Sequence, residues 1–196
     1  VELGRLLRTP SPERIMYIRL AMKNGRTDNE ISSFSNIDPW FLSKLRNIVN
    51  AEDELLKYEN INKLNYNFLF KLKQLGFSDR QIAFALDSDE LIIRSKRISL
   101  NILPNYKTVD TCASEFSSNT PYHYSTYERP AFRIDNDCRI IENINLNEIK
   151  VDNKNKILIL GGGPNRIGQG IEFDYCCCHA SYQAQAEGLV TIMINS

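Results

Sequence analysis

The sequence predicts a mainly α-helical region, then an aromatic-rich connector, then a truncated α/β unit of the βαβ type. Three observations predict this. Residues 11–100 carry repeated helix start and stop signals. Residues 106–155 lose that periodicity and gain Asn, Asp, Ser and Pro. From Lys156 onward, two apolar runs enclose a glycine-rich turn and a helical stretch. The expected division is 1–105 helical, 106–155 connector and 156–196 α/β.

The helical elements follow in order. Ser11-Pro12-Glu13 offers an N-cap with proline at the first helical position, Ile15, Ile18 and Met22 fall on one face, and Gly25 ends the segment. Thr27 and Glu30 have capping-box spacing, as do Ser78 and Gln81. Asp38-Pro39 opens a longer helix in which Phe41, Leu45, Ile48 and Val49 recur at helical spacing. Asp38 reads as an N-cap rather than a metal ligand. Phe68, Leu69, Leu72 and Leu75 repeat the pattern before Gly76.

In the connector, tyrosine and phenylalanine are too frequent for a flexible tether. Tyr106, Phe116, Tyr122, Tyr124 and Tyr127 are therefore expected to pack on a neighbouring surface. Ile140-Ile141 and Ile144 suit a short strand. Ile157-Leu158-Ile159-Leu160 and Val190-Thr191-Ile192-Met193-Ile194 are β runs of a parallel pair, which is normally buried on both faces. A start at Val1 and an end at Ser196, directly after the second run, predict an internal piece of a longer protein. Such a piece should leave the strand 190–194 with an unpaired edge.

Bulk properties narrow the function classes. Lys plus Arg and Asp plus Glu number 24 each, so no net field draws the chain toward nucleic acid or an anionic membrane. No apolar run approaches the roughly 20 residues that span a bilayer. Five cysteines without a CxxC pair form neither a disulfide framework nor a zinc pattern. Cys176, Cys177 and Cys178 precede His179, but adjacent helical side chains point about 100° apart and cannot converge on one ion. Small buried hydrophobes are the expected role. The chain is expected to be intracellular, without a resident metal.

Gly161, Gly162 and Gly163 follow the first β run, and glycines there let backbone N–H groups approach a phosphate. A Walker loop aligned on Gly163 and Gly168 would need lysine and then serine or threonine, where Gln169 and Gly170 stand. A dinucleotide fingerprint from Gly161 meets Arg166 in place of its third glycine. On this pattern alone, a tight structural turn and a phosphate-binding turn both remain open.

The longer string 161–177, GGGPNRIGQGIEFDYCC, resembles the opening of the second synthetase unit in the carbamoyl phosphate synthetase large-subunit family. YKTVDTCASEF at 106–116 and YSTYE at 124–128 are similar to the segments that precede that unit, in the same order. NIDPWFL at 36–42 and LGFSD at 75–79 resemble motifs of the family's helical oligomerisation domain. The resemblance weakens only between about 129 and 155.

It implies a helical domain followed by the start of a Rossmann-like pre-ATP-grasp domain. The family's large subunit has two homologous halves, each with an ATP-grasp site. The first makes carbamate with ammonia from a small glutaminase subunit, and the second phosphorylates it. ATP with Mg or Mn belongs to the full-length parent, and none of these is expected to bind this piece. Gly168, Gln169, Gly170, Ile171 and Glu172 match the family loop along the passage that carries carbamate between the two sites. Gly170 also suits plain strand-to-helix packing. No catalytic residue is expected. The implied partners are the rest of the large subunit, the glutaminase and a second copy of the helical domain.

The rival reading from another class is nucleic-acid binding. Segments 78–86 and 89–100 resemble a helix-turn-helix whose second helix carries Arg94, Lys96 and Arg97. Asp87, Asp89 and Glu90 stand against it, at the helix start that would approach bases. His123 and Glu128 lack a nearby nucleophile or oxyanion donor and read as packing residues.

Overall fold

The computed structural model describes residues 2–110, 112–113, 115–116, 122–129, 131–143, 147–149, 152–161 and 172–194. The chain forms two compact units, Val1–Glu148 and Ile149–Ser196.

The first unit opens with seven helices: α1 Glu2–Arg8, α2 Arg14–Lys23, α3 Asp28–Ser35, α4 Pro39–Leu55, α5 Tyr66–Gln74, α6 Asp79–Ala85 and α7 Glu90–Ser99. Their ends are set locally. Thr27 and Ser78 each complete a capping box, with Glu30 and Gln81. Asp38 caps α4 through the Trp40 N–H at 2.8 Å, with proline at the first position. Gly25 and Gly76 take positive φ after α2 and α5. There the N–H groups of Arg26 and Phe77 reach back to the carbonyls of Ala21 and Leu72, closing left-handed caps.

Two cores result, and α4 serves both. Leu42 and Val49 join Leu7, Ile18, Ala21, Met22 and Ile31 in the first. Ala51 and Leu55 join Leu64, Phe68, Leu69, Leu72, Ile82, Ile93 and Ile102 in the second. Each fully buried Leu or Ile contributes about 1.5–3 kcal/mol of transfer free energy. Ion pairs from Arg19 to Glu52 and from Lys23 to Asp53 tie α2 to α4 along the solvent side.

Three expectations change. Ser11 does not cap α2; Ser11 and Pro12 precede a tight first turn, and the capping position falls on Glu13 without a side-chain bond. Ile15 is exposed, and Ala21 takes its place beside Ile18 and Met22. On α4 the buried stripe runs through Leu42 and Val49, with Leu45 partly covered, while Phe41 and Ile48 face solvent. The apolar pattern had two readable phases, and packing against α2 and α3 selected the one shifted from Phe41 to Leu42.

Beyond the helices, β1 Asn105–Thr108 pairs antiparallel with β2 His123–Thr126, and β3 Ala131–Ile134 with β4 Ile140–Asn143. The expected strand at Ile140-Ile141 is β4; Ile144 lies outside the described residues. Of the five connector aromatics, Tyr127 packs against the second core. Tyr106, Phe116, Tyr122 and Tyr124 remain largely exposed on the described surface.

The second unit is a βαβ: β5 Lys156–Leu160, α8 Glu172–Ala186 and β6 Val190–Ile194. The strands are parallel, with Leu158 opposite Ile192. Leu158 is 54% and Leu160 74% exposed, so burial on both faces does not hold for this pair among the described residues. One helix covers only part of what a parallel pair presents.

Candidate functional site

The glycine turn leaves the carboxyl end of β5. Gly161 extends the strand register by donating its N–H to the Ile194 carbonyl at 2.7 Å. α8 begins at Glu172. Gly162, Gly163, Gly168, Gln169, Gly170 and Ile171 lie outside the described residues, as does the side chain of Glu172.

The helix that follows is held at its far end. Ala184 is buried, Ser181 and Thr191 share a hydroxyl hydrogen bond of 2.8 Å, and the Gln185 amide donates to the same Thr191 oxygen at 3.1 Å. Cys176 is exposed, and Cys177 and Cys178 are half-buried, so the cysteine run is not the buried hydrophobic set expected. Successive helical positions turn away from the sheet, and the two-stranded layer is too narrow to cover them all.

In the first unit the densest chemistry is a buried ionic cluster. Asp79 accepts from Lys73 at 2.8 Å and from the Arg97 fork, whose Nη2 lies 3.0 Å away. Lys73 also donates to the Phe77 carbonyl at 2.7 Å, and Arg97 to the Ile102 carbonyl at 2.8 Å. Burial pushes the Asp79 carboxyl up, but the hydrogen bonds and charges of Arg97 and Lys73 outweigh it and hold the group below the ordinary aspartate range. The Tyr127 ring sits 5.4 Å from the Lys73 ammonium, and burial raises its hydroxyl pKa. No buried side-chain nitrogen or oxygen among the described residues lacks a partner, and the cluster fastens α5, α6, α7 and the following chain together.

This cluster was missed in the sequence, although a signal existed. Arg97 follows Ile93 by four residues, on the buried stripe of α7, and Lys73 adjoins buried Leu72. A cation in an apolar stripe calls for a buried partner. The same geometry removes Arg97 from the basic face of the helix-turn-helix reading.

Other candidates resolve simply. Glu128 pairs with Lys107 at 3.7 Å, and His123 lies exposed on β2. No group of three His, Cys, Asp or Glu residues is placed to hold a metal among the described residues. No described helix is long and apolar enough to cross a membrane. Trp40 and Phe41 meet edge to face at 5.0 Å on the surface of α4, each 59% exposed, and the Lys44 ammonium lies 5.1 Å from the Trp40 ring.

A tightly capped helical unit followed in sequence by a βαβ start defines the two-part class of chain to which the described residues belong. Comparison with known proteins makes this specific. Residues 1–101 match the family model described as carbamoyl-phosphate synthetase large chain, oligomerisation domain, and residues 153–196 match the carbamoyl phosphate synthase preATP-grasp domain. The chain belongs to the carbamoyl phosphate synthetase large-chain family. It is 46% identical over 196 residues to a carbamoyl phosphate synthase large chain of Rhodopirellula baltica, covering 100% of this chain and 17% of that one. It is 48% identical over 190 residues to the arginine-specific large chain, chloroplastic, of Arabidopsis thaliana, covering 97% and 15%. A Nostoc large chain is 46% identical over 190 residues, covering 97% and 16%. The chain thus spans about a sixth of the length of the curated relatives it matches.

Proposed function

We propose that this chain is the part of a glutamine-dependent carbamoyl phosphate synthetase large subunit that joins its two synthetase halves. The parent is an ATP-dependent ligase, cytoplasmic or organellar. It makes carbamoyl phosphate from bicarbonate, glutamine-derived ammonia and two ATP, for arginine biosynthesis, pyrimidine biosynthesis or both. The observation that carries the reading is the order of the two family matches within one chain, oligomerisation domain first and preATP-grasp domain second.

The work of this piece is architectural. The helical region, 1–105, supports self-association, and the exposed Trp40–Phe41 pair on α4 is its candidate contact. The connector, 106–155, leads to the pre-ATP-grasp start at 156–196. Its partners are the rest of the large subunit, the small glutaminase and a second helical domain.

Phosphoryl transfer needs carboxylate-held metal and basic groups fixed around a triphosphate. The reading places those groups in other parts of the parent. The isolated chain is therefore expected to hydrolyse no ATP, and a metal-dependent rate that persists through further purification would sink it.

The loop Gly168-Gln169-Gly170-Ile171-Glu172 is assigned to the wall of the carbamate passage. Glycine at 170 leaves room, and Glu172 adds a polar group. In the full enzyme, Gly170→Phe should keep bicarbonate-dependent ATP hydrolysis while cutting carbamoyl phosphate formed per ATP. An unchanged yield would return Gly170 to a packing role.

A further inference from the structure

The turn after α2 carries a reactive pair. Asn24-Gly25 is the one Asn-Gly pair in the sequence, and both residues are exposed. A glycine after asparagine has no Cβ to keep its main-chain nitrogen away from the asparagine side chain. A side-chain carbon at Gly25 would meet no described atom within 4 Å, so the space beside the pair is open.

The same turn holds the reaction off. The Asn24 N–H donates to the Leu20 carbonyl, the Gly25 N–H to the Met22 carbonyl and the Arg26 N–H to the Ala21 carbonyl, each at 3.0 Å. With Gly25 at φ 78°, the last two bonds make a glycine cap that keeps the Gly25 nitrogen engaged. Ring closure needs that nitrogen and Asn24 Cβ on the same side of the Cα–C bond, and the ψ of 15° at Asn24 sets them apart. Arg46 braces the turn from α4. Its Nη2 donates to the Arg26 carbonyl at 2.6 Å and to the Asp28 carboxylate at 2.7 Å.

We propose that Asn24 is a self-modification site whose lock is the cap of α2. When the cap opens, the deprotonated Gly25 nitrogen bonds to Asn24 Cγ and the Cγ–Nδ2 bond breaks. The side-chain nitrogen leaves as ammonia, taking up the proton that Gly25 gave up. Water then opens the cyclic imide at either carbonyl, with no change of oxidation state. Opening at Cγ gives aspartate; opening at the main-chain carbonyl gives isoaspartate, in which the chain runs through Cβ and is one carbon longer. Either product puts a carboxylate at the carboxyl end of α2, where the helix dipole disfavours it. The isoaspartyl product also draws Gly25 and Arg26 away from the carbonyls of Met22 and Ala21, and the Arg26 carbonyl away from Arg46. A transient opening of the cap is thereby written permanently into the chain.

The test uses the whole chain at mildly alkaline pH, with peptide mass mapping to follow conversion at Asn24 and chromatography to separate the aspartyl and isoaspartyl forms. Unfolding in urea should speed conversion at least about tenfold over the folded chain, and equal rates would overturn the lock. In the same urea, Gly25→Ala should lose the fast conversion, because the added Cβ crowds the approach; conversion at the parent rate would overturn the assigned nucleophile. Arg46→Gln releases the Arg26 carbonyl. In the folded chain, with the amides of α5 and α7 still protected, it should speed conversion by roughly three- to tenfold and leave the rate in urea unchanged. An unchanged folded-state rate would overturn the part given to Arg46.

Discussion

The two units treat their apolar residues in opposite ways. In the helical part Leu69, Leu72, Ile82 and Ile93 are wholly buried, whereas in the βαβ Leu158, Leu160 and Ile194 stand about half exposed or more. Hydropathy does not separate them, since both stretches are rich in Leu and Ile. An amphipathic helix presents one apolar stripe, and neighbouring helices supply its complement within a few turns of chain. A parallel strand presents two faces and two edges, and one helix and one partner strand leave much of that uncovered.

The largest effect expected lies in the ionic cluster. Asp79→Asn leaves Lys73 and Arg97 buried without their counter-charge and should cost the first unit about 3–5 kcal/mol, measured by urea unfolding. Amide exchange in β5 and β6 should stay unchanged. A loss below about 1 kcal/mol would mean that water reaches the cluster and that the first unit is less closed than its burial implies.

Acid should act on the same residue. The folded pKa of Asp79 lies below its unfolded value, so its contribution is present above the ordinary aspartate pKa of about 3.9. It is lost as pH falls through the depressed folded value. The urea midpoint of the first unit should drop below about pH 4, and Asp79→Asn should flatten that drop.

Capping comes next in size. Thr27→Ala and Ser78→Ala should each cost about 1 kcal/mol, and since the helices they cap pack into different cores their effects should add within about 0.5 kcal/mol. The smallest effect is the sharpest probe of the contrast. Leu160→Lys, at a site 74% exposed, should change the stability of the second unit by no more than about 0.5 kcal/mol. A cost of several kcal/mol, read by thermal unfolding at low concentration, would show the sheet face to be covered in solution.

Legibility followed the same division. Helix ends were readable because their causes are local: Thr27 with Glu30, Asp38 with Pro39, and Gly76 after Leu75 each act within a turn of chain. Helix faces were less so. Phe41 and Leu42 are adjacent and both apolar, and only the helices across the core decide which points inward. The Asp79 cluster joins residues 18 apart, and the Lys107–Glu148 ion pair joins residues 41 apart. Neither leaves a periodic trace. The glycine turn was readable as a string with a family likeness, while spacing alone left its chemistry open.

The helices also meet mainly their sequence neighbours, α1 with α2, α3 with α4 and α6 with α7. Contacts closed over such short loops need little search, and chains of this kind fold in microseconds to milliseconds. Because domains generally fold as they leave the ribosome, amino-terminal parts first, the helical part should be finished before the βαβ strands emerge. Those strands, slow to pair, would then emerge when the helical part has already folded.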